Sequence, residues 1–168
     1  VAKAIRKAEA TGNLICGLYY LESYCAQLTS GRVKGNVEPI VTKPKSASVL
    51  VDARFGFAQP AFARGLSTAL ETAHDMGTAS LAVAHSHTCT SLGYFTEQIA
   101  DAGLIGLGFT NASAVVSPPG GNKAVLGTNP MALSVPAKQG GLAFQFDQST
   151  SAIALGKITM AAAAGEEI

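Results

Sequence analysis

The sequence predicts an α/β fold with a mixed sheet, and three observations carry that prediction. Short apolar runs bounded by Gly, Pro or Ser alternate with longer segments of helical periodicity. One such alternation, residues 79–109, has the strand–helix–strand length of a parallel crossover unit. Composition allows it: of 168 residues, 48% are hydrophobic and 14% charged, enough for a core and too apolar for disorder.

The same composition narrows the function. A formal net charge of +1 offers no electrostatic case for nucleic acid or acidic lipid. The apolar runs are broken by Gly, Ser or Thr well short of the ~20 residues of a membrane span. A small-molecule pocket is therefore expected, with no nucleic-acid or membrane partner. Cys16, Cys25 and Cys89 are odd in number and form no CxxC pair, which fits a reducing, cytoplasmic setting. The start at Val1 shows no Met and no apolar leader, and both ends read as cut from a longer chain.

Taken in order, residues 2–11 read as the end of a helix closed by Gly12. A second helix fits Leu18 to Thr29, with Leu18, Leu21, Cys25 and Leu28 on one face and Gly31 as its stop. Residues 39–41 and 47–51 are strand-like, divided by a Lys43-Pro44-Lys45 breaker that would suit a domain boundary. Pro60 opens a helix striped by Phe62, Leu66, Leu70 and Ala73, and Gly77 stops it. Residues 80–84 make a buried strand, His85 to Ser91 a polar turn, and Leu92 to Ala102 a helix. Another buried strand follows at 104–109, then a turn at 118–121 and strands near 131–135 and 142–147. An Ala-rich helix from about Ser151 ends the chain.

The turn from His85 to Ser91 joins a strand to a helix N-terminus, where free N–H groups and the helix dipole favour an anion. Thr88, Thr90 and Ser91 add hydroxyls, and His85 and His87 add proton chemistry. The plainer reading keeps Ser91 as a helix cap and both histidines as solvated loop residues. No metal is expected: beyond His85 and His87 the only other histidine is His74, and zinc takes three or four ligands. The Rossmann glycine fingerprint is missing, since Gly103, Gly106 and Gly108 are in the wrong order and lie on a strand. From the residues alone, this turn is an anion-binding candidate and no nucleotide is named.

Four segments in order carry a resemblance. They are Ser86-His87 with Gly93-Tyr94-Phe95; Asn111-Ala112-Ser113 with Val116 and Pro118-Pro119-Gly120-Gly121; Leu126-Gly127-Thr128-Asn129-Pro130; and Phe146-Asp147 with Thr150-Ser151. Together with Gly156-Lys157-Ile158 and Gly165-Glu166-Glu167-Ile168, this set resembles the type 2 malate/L-lactate dehydrogenase family. That family includes ureidoglycolate and sulfolactate dehydrogenases and the reductases of piperideine-2-carboxylate and pyrroline-2-carboxylate. The resemblance implies a non-Rossmann NAD(P)-binding domain, present here as a fragment, and a homodimer whose site lies between subunits or domains. It implies that residues 1–45 are a helical segment serving the substrate site and dimer, and residues 46–168 part of the mixed-sheet NAD(P)-binding domain. Cofactor contacts would fall on Thr88, Cys89, Thr90, Ser91 and Leu92, and on Asp147, Gln148 and Ser149. Thr128 would contact substrate.

The chain departs from the family pattern where members carry Ser-His-Gly and then an Arg for the substrate carboxylate. Ile15 stands for Ser, Cys16 for His and Tyr20 for Arg. A thiol differs from imidazole in pKa and geometry, so Cys16 is an imperfect proton donor. A second family His aligns with Thr88, leaving His87 as the other acid/base candidate. A catalytically altered paralogue, an engineered or damaged form, and an imperfectly read sequence all remain open explanations for residues 15–16.

The expected function is hydride transfer between NADH or NADPH and a small 2-oxo acid or cyclic 2-imino acid. Cys16 or His87 would supply the proton, with Tyr20 and Thr128 on the substrate. The rival is a catalytically impaired, dimerising homologue that binds cofactor without turnover. A phosphate-binding α/β domain of unrelated function is the third reading.

Overall fold

A computed structural model describes residues 1–151 and 153–166. Two compact units divide the chain, the first Val1–Ser91 and the second from Leu92 on.

The first unit begins with helix α1, Ala2–Ala10, which buries Ala4, Ile5 and Ala8. Gly12, at φ +76°, turns the chain out of it. Two 3₁₀ turns follow, Leu14–Cys16 and Leu18–Tyr20, and only then helix α2, Leu21–Thr29. The single helix expected over Leu18 to Thr29 is thus two pieces, a 3₁₀ turn and then α2, and Gly17 separates them from the first 3₁₀ turn. Leu18, Leu21 and Leu28, expected to share a face, are exposed, whereas Tyr24 is buried. Tyr24 joins Ile5, Val33 and Phe57 in a small core. An aromatic ring covers more area than a leucine, and its hydroxyl finds a partner of its own, so the tyrosine takes the inside.

Strands β1, Ile40–Lys45, and β2, Ser48–Asp52, form an antiparallel hairpin. The Lys43-Pro44-Lys45 segment expected to break the chain lies inside β1. The register slips between Thr42 and Lys45, and β1 is an edge strand. An irregular edge is where proline is tolerated, because no ladder N–H is demanded of it. Helix α3, Ala58–Met76, starts two residues before Pro60, and Gly77 ends it at φ +77°, a backbone that suits glycine. Its buried stripe is Ala61, Phe62, Gly65, Ala69 and Thr72, rotated slightly from the leucine stripe expected. Ala61, Gly65 and Ala69, the small members of the stripe, let the helix lie close on Val49 and Val51 of β2. A Cβ on Gly65 would collide with Val51 Cγ2. Strand β3, Ser80–Ala84, then pairs parallel with β2, Val51 opposite Val83.

The second unit holds helix α4, Gly93–Asp101, and strands β4, Gly106–Phe109, β5, Met131–Pro136, and β6, Leu142–Gln148. These strands form an antiparallel sheet in sequence order. The parallel crossover expected over 79–109 is therefore not formed: β3 and β4 belong to different sheets, and the crossover is β2–α3–β3. Spacing alone does not say which sheet a strand joins; side chains do. Gly106, Gly108, Ala132 and Ser134 line one face of the second sheet, and α4 packs on it. A Cβ on Gly106 would lie 2.5 Å from the Thr96 carbonyl oxygen. On the other face, Leu107, Phe109 and Phe144 are exposed, with Leu133 and Phe146 half-buried. Gly103, Gly106 and Gly108 therefore serve helix termination and close packing.

A turn over Pro118–Gly121 closes with Gly121 N donating to Pro118 O at 2.9 Å, and Gly120 at φ +76° fits position three of a type II turn. Helix α5, Leu155–Ala164, begins four residues after the expected Ser151 and buries Gly156. Glu167 and Ile168 of the Gly-Glu-Glu-Ile segment lie outside the described residues.

Candidate functional site

Beyond β2 and β3 the two chains run on side by side as loops. Ala53 N donates to Ala84 O at 2.9 Å, Phe55 N to His85 O at 2.8 Å, and His87 N to Gly56 O at 2.8 Å. This pairing is kept although Arg54, Phe55, His85, Thr88 and Thr90 all have positive φ. Such a backbone is uncommon outside glycine, and for β-branched Thr88 and Thr90 it carries strain. The expected polar turn at 85–91 exists and is held by its neighbours.

The two histidines leave this turn in different directions. His85 Nδ1 lies 3.0 Å from Asp52 Oδ1, with both side chains well exposed, and its ring tilts against Phe55. Asp52 also accepts from Arg54 N at 2.8 Å. That backbone donor, and after it His85, holds the Asp52 carboxyl below its usual range. His87 instead sets its ring edge-on to Phe57. Burial, and secondarily the Arg32 charge, pushes its pKa below the ordinary 6.5. At neutral pH His87 is therefore mostly the neutral imidazole.

Tyr24 links this turn to the N-terminal segment. Its hydroxyl shares a hydrogen bond with the Thr88 side chain, and its ring meets Phe57 at 5.8 Å and Tyr20 at 6.1 Å. Burial first, and then Cys16, Tyr20 and Cys89, push its pKa well above that of an ordinary phenol. Tyr20 is raised likewise, by burial, Tyr19 and Cys16. Cys16 sits half-buried at the end of the first 3₁₀ turn, and Glu9 holds the start of the second by accepting Leu18 N at 2.6 Å. The first unit thus ties the segment carrying Cys16 and Tyr20 to the turn carrying His87, Thr88 and Cys89, through Tyr24 and Phe57.

The rest of the turn is fixed by Gln59, 5% exposed, from the first turn of α3. Its Nε2 donates to Cys89 O at 3.2 Å and to Thr90 Oγ1 at 3.4 Å. Cys89 Sγ lies 3.8 Å from Thr90 O, and Ser91 is half-buried. An open groove of about 500 Å³, between residues 35–39 and the Pro60–Arg64 part of α3, includes none of these residues.

In the second unit Leu92, buried, takes the N-cap position of α4 without a side-chain cap. Ser91 is therefore not the capping residue at this end. Asp147 supplies that service from β6: its Oδ2 accepts Gly93 N at 2.7 Å, as an anion at a helix N-terminus should. Gln145 Nε2 donates to Gly93 O and Ser134 Oγ, and Ser134 meets Thr96 Oγ1 at 2.8 Å. Gln148 ends β6 opposite Met131. Thr128 and Ser149 are neighbours: Thr128 O accepts Ser149 Oγ at 3.3 Å, Thr150 N at 2.9 Å and Thr150 Oγ1 at 2.8 Å. Asn129, at φ +34°, accepts Ala112 N at 3.0 Å and ties two of the motif segments together.

Sequence reasoning missed Tyr24, Gln59 and Asp52. A tyrosine on a leucine-rich helix reads as its polar side, and a glutamine in a first helical turn reads as surface. The only available signal was Gln59 lying one turn before Phe62, on the same face.

The family model described as Malate/L-lactate dehydrogenase matches residues 1–168. The (2R)-3-sulfolactate dehydrogenase (NADP(+)) of Chromohalobacter salexigens is 37% identical over 167 residues, 99% of this chain and 50% of the relative. The Delta(1)-pyrroline-2-carboxylate/Delta(1)-piperideine-2-carboxylate reductase of Pseudomonas syringae pv. tomato is 37% identical over 165 residues, covering 98% and 48%. The crystal structure of delta1-piperideine-2-carboxylate reductase from Pseudomonas syringae superimposes with a TM-score of 0.91 at 36% identity, over 97% of this chain and 49% of that one. The chain spans about half the length of the curated relatives it matches. With the family model matched from its first residue to its last, the chain belongs to the malate/L-lactate dehydrogenase family.

Proposed function

We propose that this chain contributes to an oxidoreductase that moves a hydride between NADH or NADPH and a small 2-oxo acid or cyclic 2-imino acid. One observation carries the reading: Tyr24 packs against Tyr20 and Phe57 and meets the Thr88 side chain, tying the segment that carries Cys16 and Tyr20 to the 85–91 turn. A hydride acceptor at carbon needs a proton delivered to the adjoining oxygen or nitrogen, and these two segments hold the groups to deliver it. Cys16 is the first choice of donor and His87 the second. Thr88 to Leu92 and Asp147 to Ser149 are the proposed cofactor contacts, and Tyr20 and Thr128 the substrate contacts. Residues 1–45 serve the substrate side and the dimer, residues 46–168 the cofactor. The enzyme works as a cytoplasmic homodimer, on the strength of the family and of cysteines not tied in disulfides. Among the described residues, no helix is long and apolar enough to cross a membrane.

The pH profile of reduction separates the two donors. His87 as acid requires its protonated form, so turnover rises as pH falls below 6.5. Turnover that does not rise as pH falls would exclude His87 and leave Cys16 as the donor. Turnover of NADH or NADPH with pyruvate, oxaloacetate, piperideine-2-carboxylate and pyrroline-2-carboxylate is the direct test. The presence of Ile15-Cys16 where members carry Ser-His favours a second reading, a dimerising homologue that binds cofactor without turnover. Binding of cofactor with no turnover on any of the four substrates would select it.

A further inference from the structure

Gln59 is buried on an otherwise apolar stretch of α3, and its two amide atoms are treated very differently. Nε2 donates twice into the turn, to Cys89 O and Thr90 Oγ1. Oε1 is closed off from solvent and has no hydrogen-bond partner among the described residues. The orientation follows from chemistry. Cys89 O accepts only, so it needs the amide nitrogen, and a flipped amide would set two acceptors against each other. A leucine or methionine would fill the same space without burying an unpaired carbonyl, which costs free energy to keep. The segment it holds is costly as well, with Thr88 and Thr90 at φ +27° and +61°. Two unfavourable features thus meet at one contact, in the turn proposed above to hold the cofactor.

We propose that Gln59 fits the 85–91 turn to a nicotinamide nucleotide: Nε2 sets the turn, and Oε1 is kept for an N–H or O–H donor of the bound nucleotide. The inference rests on the cofactor reading above and says which part of the cofactor comes here. Phosphate oxygens are acceptors at neutral pH and have nothing to give Oε1. The Cys89–Thr90 part of the turn therefore takes a neutral portion of the nucleotide, its carboxamide or a ribose hydroxyl. The strained Thr88 and Thr90 are the points at which the turn yields to let that donor in.

The test uses the full-length protein, NADH titrated by fluorescence, and thermal melting without cofactor. Gln59→Leu removes the two donated bonds together with the unpaired carbonyl. Its melting point should stay close to wild type while the NADH Kd weakens by about tenfold or more. In Gln59→Glu the carboxylate has no proton for Cys89 O, so binding is weak at about pH 8. As pH falls to about 6 the burial-raised carboxyl protonates, its O–H replaces Nε2, and affinity returns toward wild type, whose own profile is flatter. Gln59→Leu binding NADH within twofold of wild type would overturn the inference, as would Gln59→Glu showing only the wild-type profile. A lower melting point with an unchanged Kd would make Gln59 merely structural and overturns it too. Should Gln59→Leu not fold, the pH series of Gln59→Glu decides alone. Wild type binding neither NADH nor NADPH would remove the cofactor reading, and this inference with it.

Discussion

His87 carries a pH signature in stability as well as in turnover. Its folded pKa lies below the ordinary 6.5, so the unfolded chain binds the proton more readily. The stability it protects is complete above 6.5 and is lost as pH falls through the lower, folded value. Melting measured from about pH 7.5 down to about pH 5 should fall less steeply in His87→Gln than in wild type. An unchanged slope would show that His87 is not set apart from solvent. Asp147 is tested by denaturant unfolding. Because it caps α4 through Gly93 N, Asp147→Ala should lose about 1–2 kcal/mol, and Asp147→Asn rather less. Both should show independently of any cofactor effect. At this scale the sequence was only partly readable. His87, Cys16 and Thr88 stand out as chemical types, but what joins Cys16 and Tyr20 to Thr88 is Tyr24, whose burial is decided by distant Phe57 and Val33. No local pattern encodes that.

Helices and strands were more legible where periodicity was strong. The limits of β3, β5 and β6 and the stop of α3 at Gly77 could be read because apolar runs end at residues with backbone consequences. Partnership could not. The assignment of β4 to a sheet with β5, and not beside β3, turns on two glycines whose missing side chains admit α4. Gly106→Ala puts a methyl against the Thr96 carbonyl, backbone that has no rotamer to yield. It should destabilise by about 1–3 kcal/mol in urea unfolding, although alanine suits a strand better than glycine. A stabilised or neutral Gly106→Ala would mean that α4 is free to shift.

For the molecule as a whole, uncovered apolar side chains stand in both units. In the first, Leu18, Leu21 and Leu28 are exposed; in the second, Leu107, Phe109 and Phe144 line the sheet face turned away from α4. Patches of this kind call for a covering surface. A polypeptide of these 168 residues alone should self-associate in light scattering and bind a hydrophobic dye. Phe109→Lys with Phe144→Thr should reduce both signals here. In the full-length protein the same pair should lower the melting point if that face is covered there. A stable dye-free monomer of these residues would count against the need for a cover.

The Thr128 carbonyl, with three donors converging on it, has a consequence for amide hydrogen exchange. Thr150 lies past the end of β6, where exchange is ordinarily fast, yet its N–H is committed to Thr128. Ala112, in a loop, is committed in the same manner to Asn129. These two amides should exchange slowly and on a common clock, because the Gly127–Pro130 turn holds both. Replacing Asn129 with alanine should release Ala112 first and speed Thr150 in proportion, so that a turn without regular secondary structure is seen opening as a single unit.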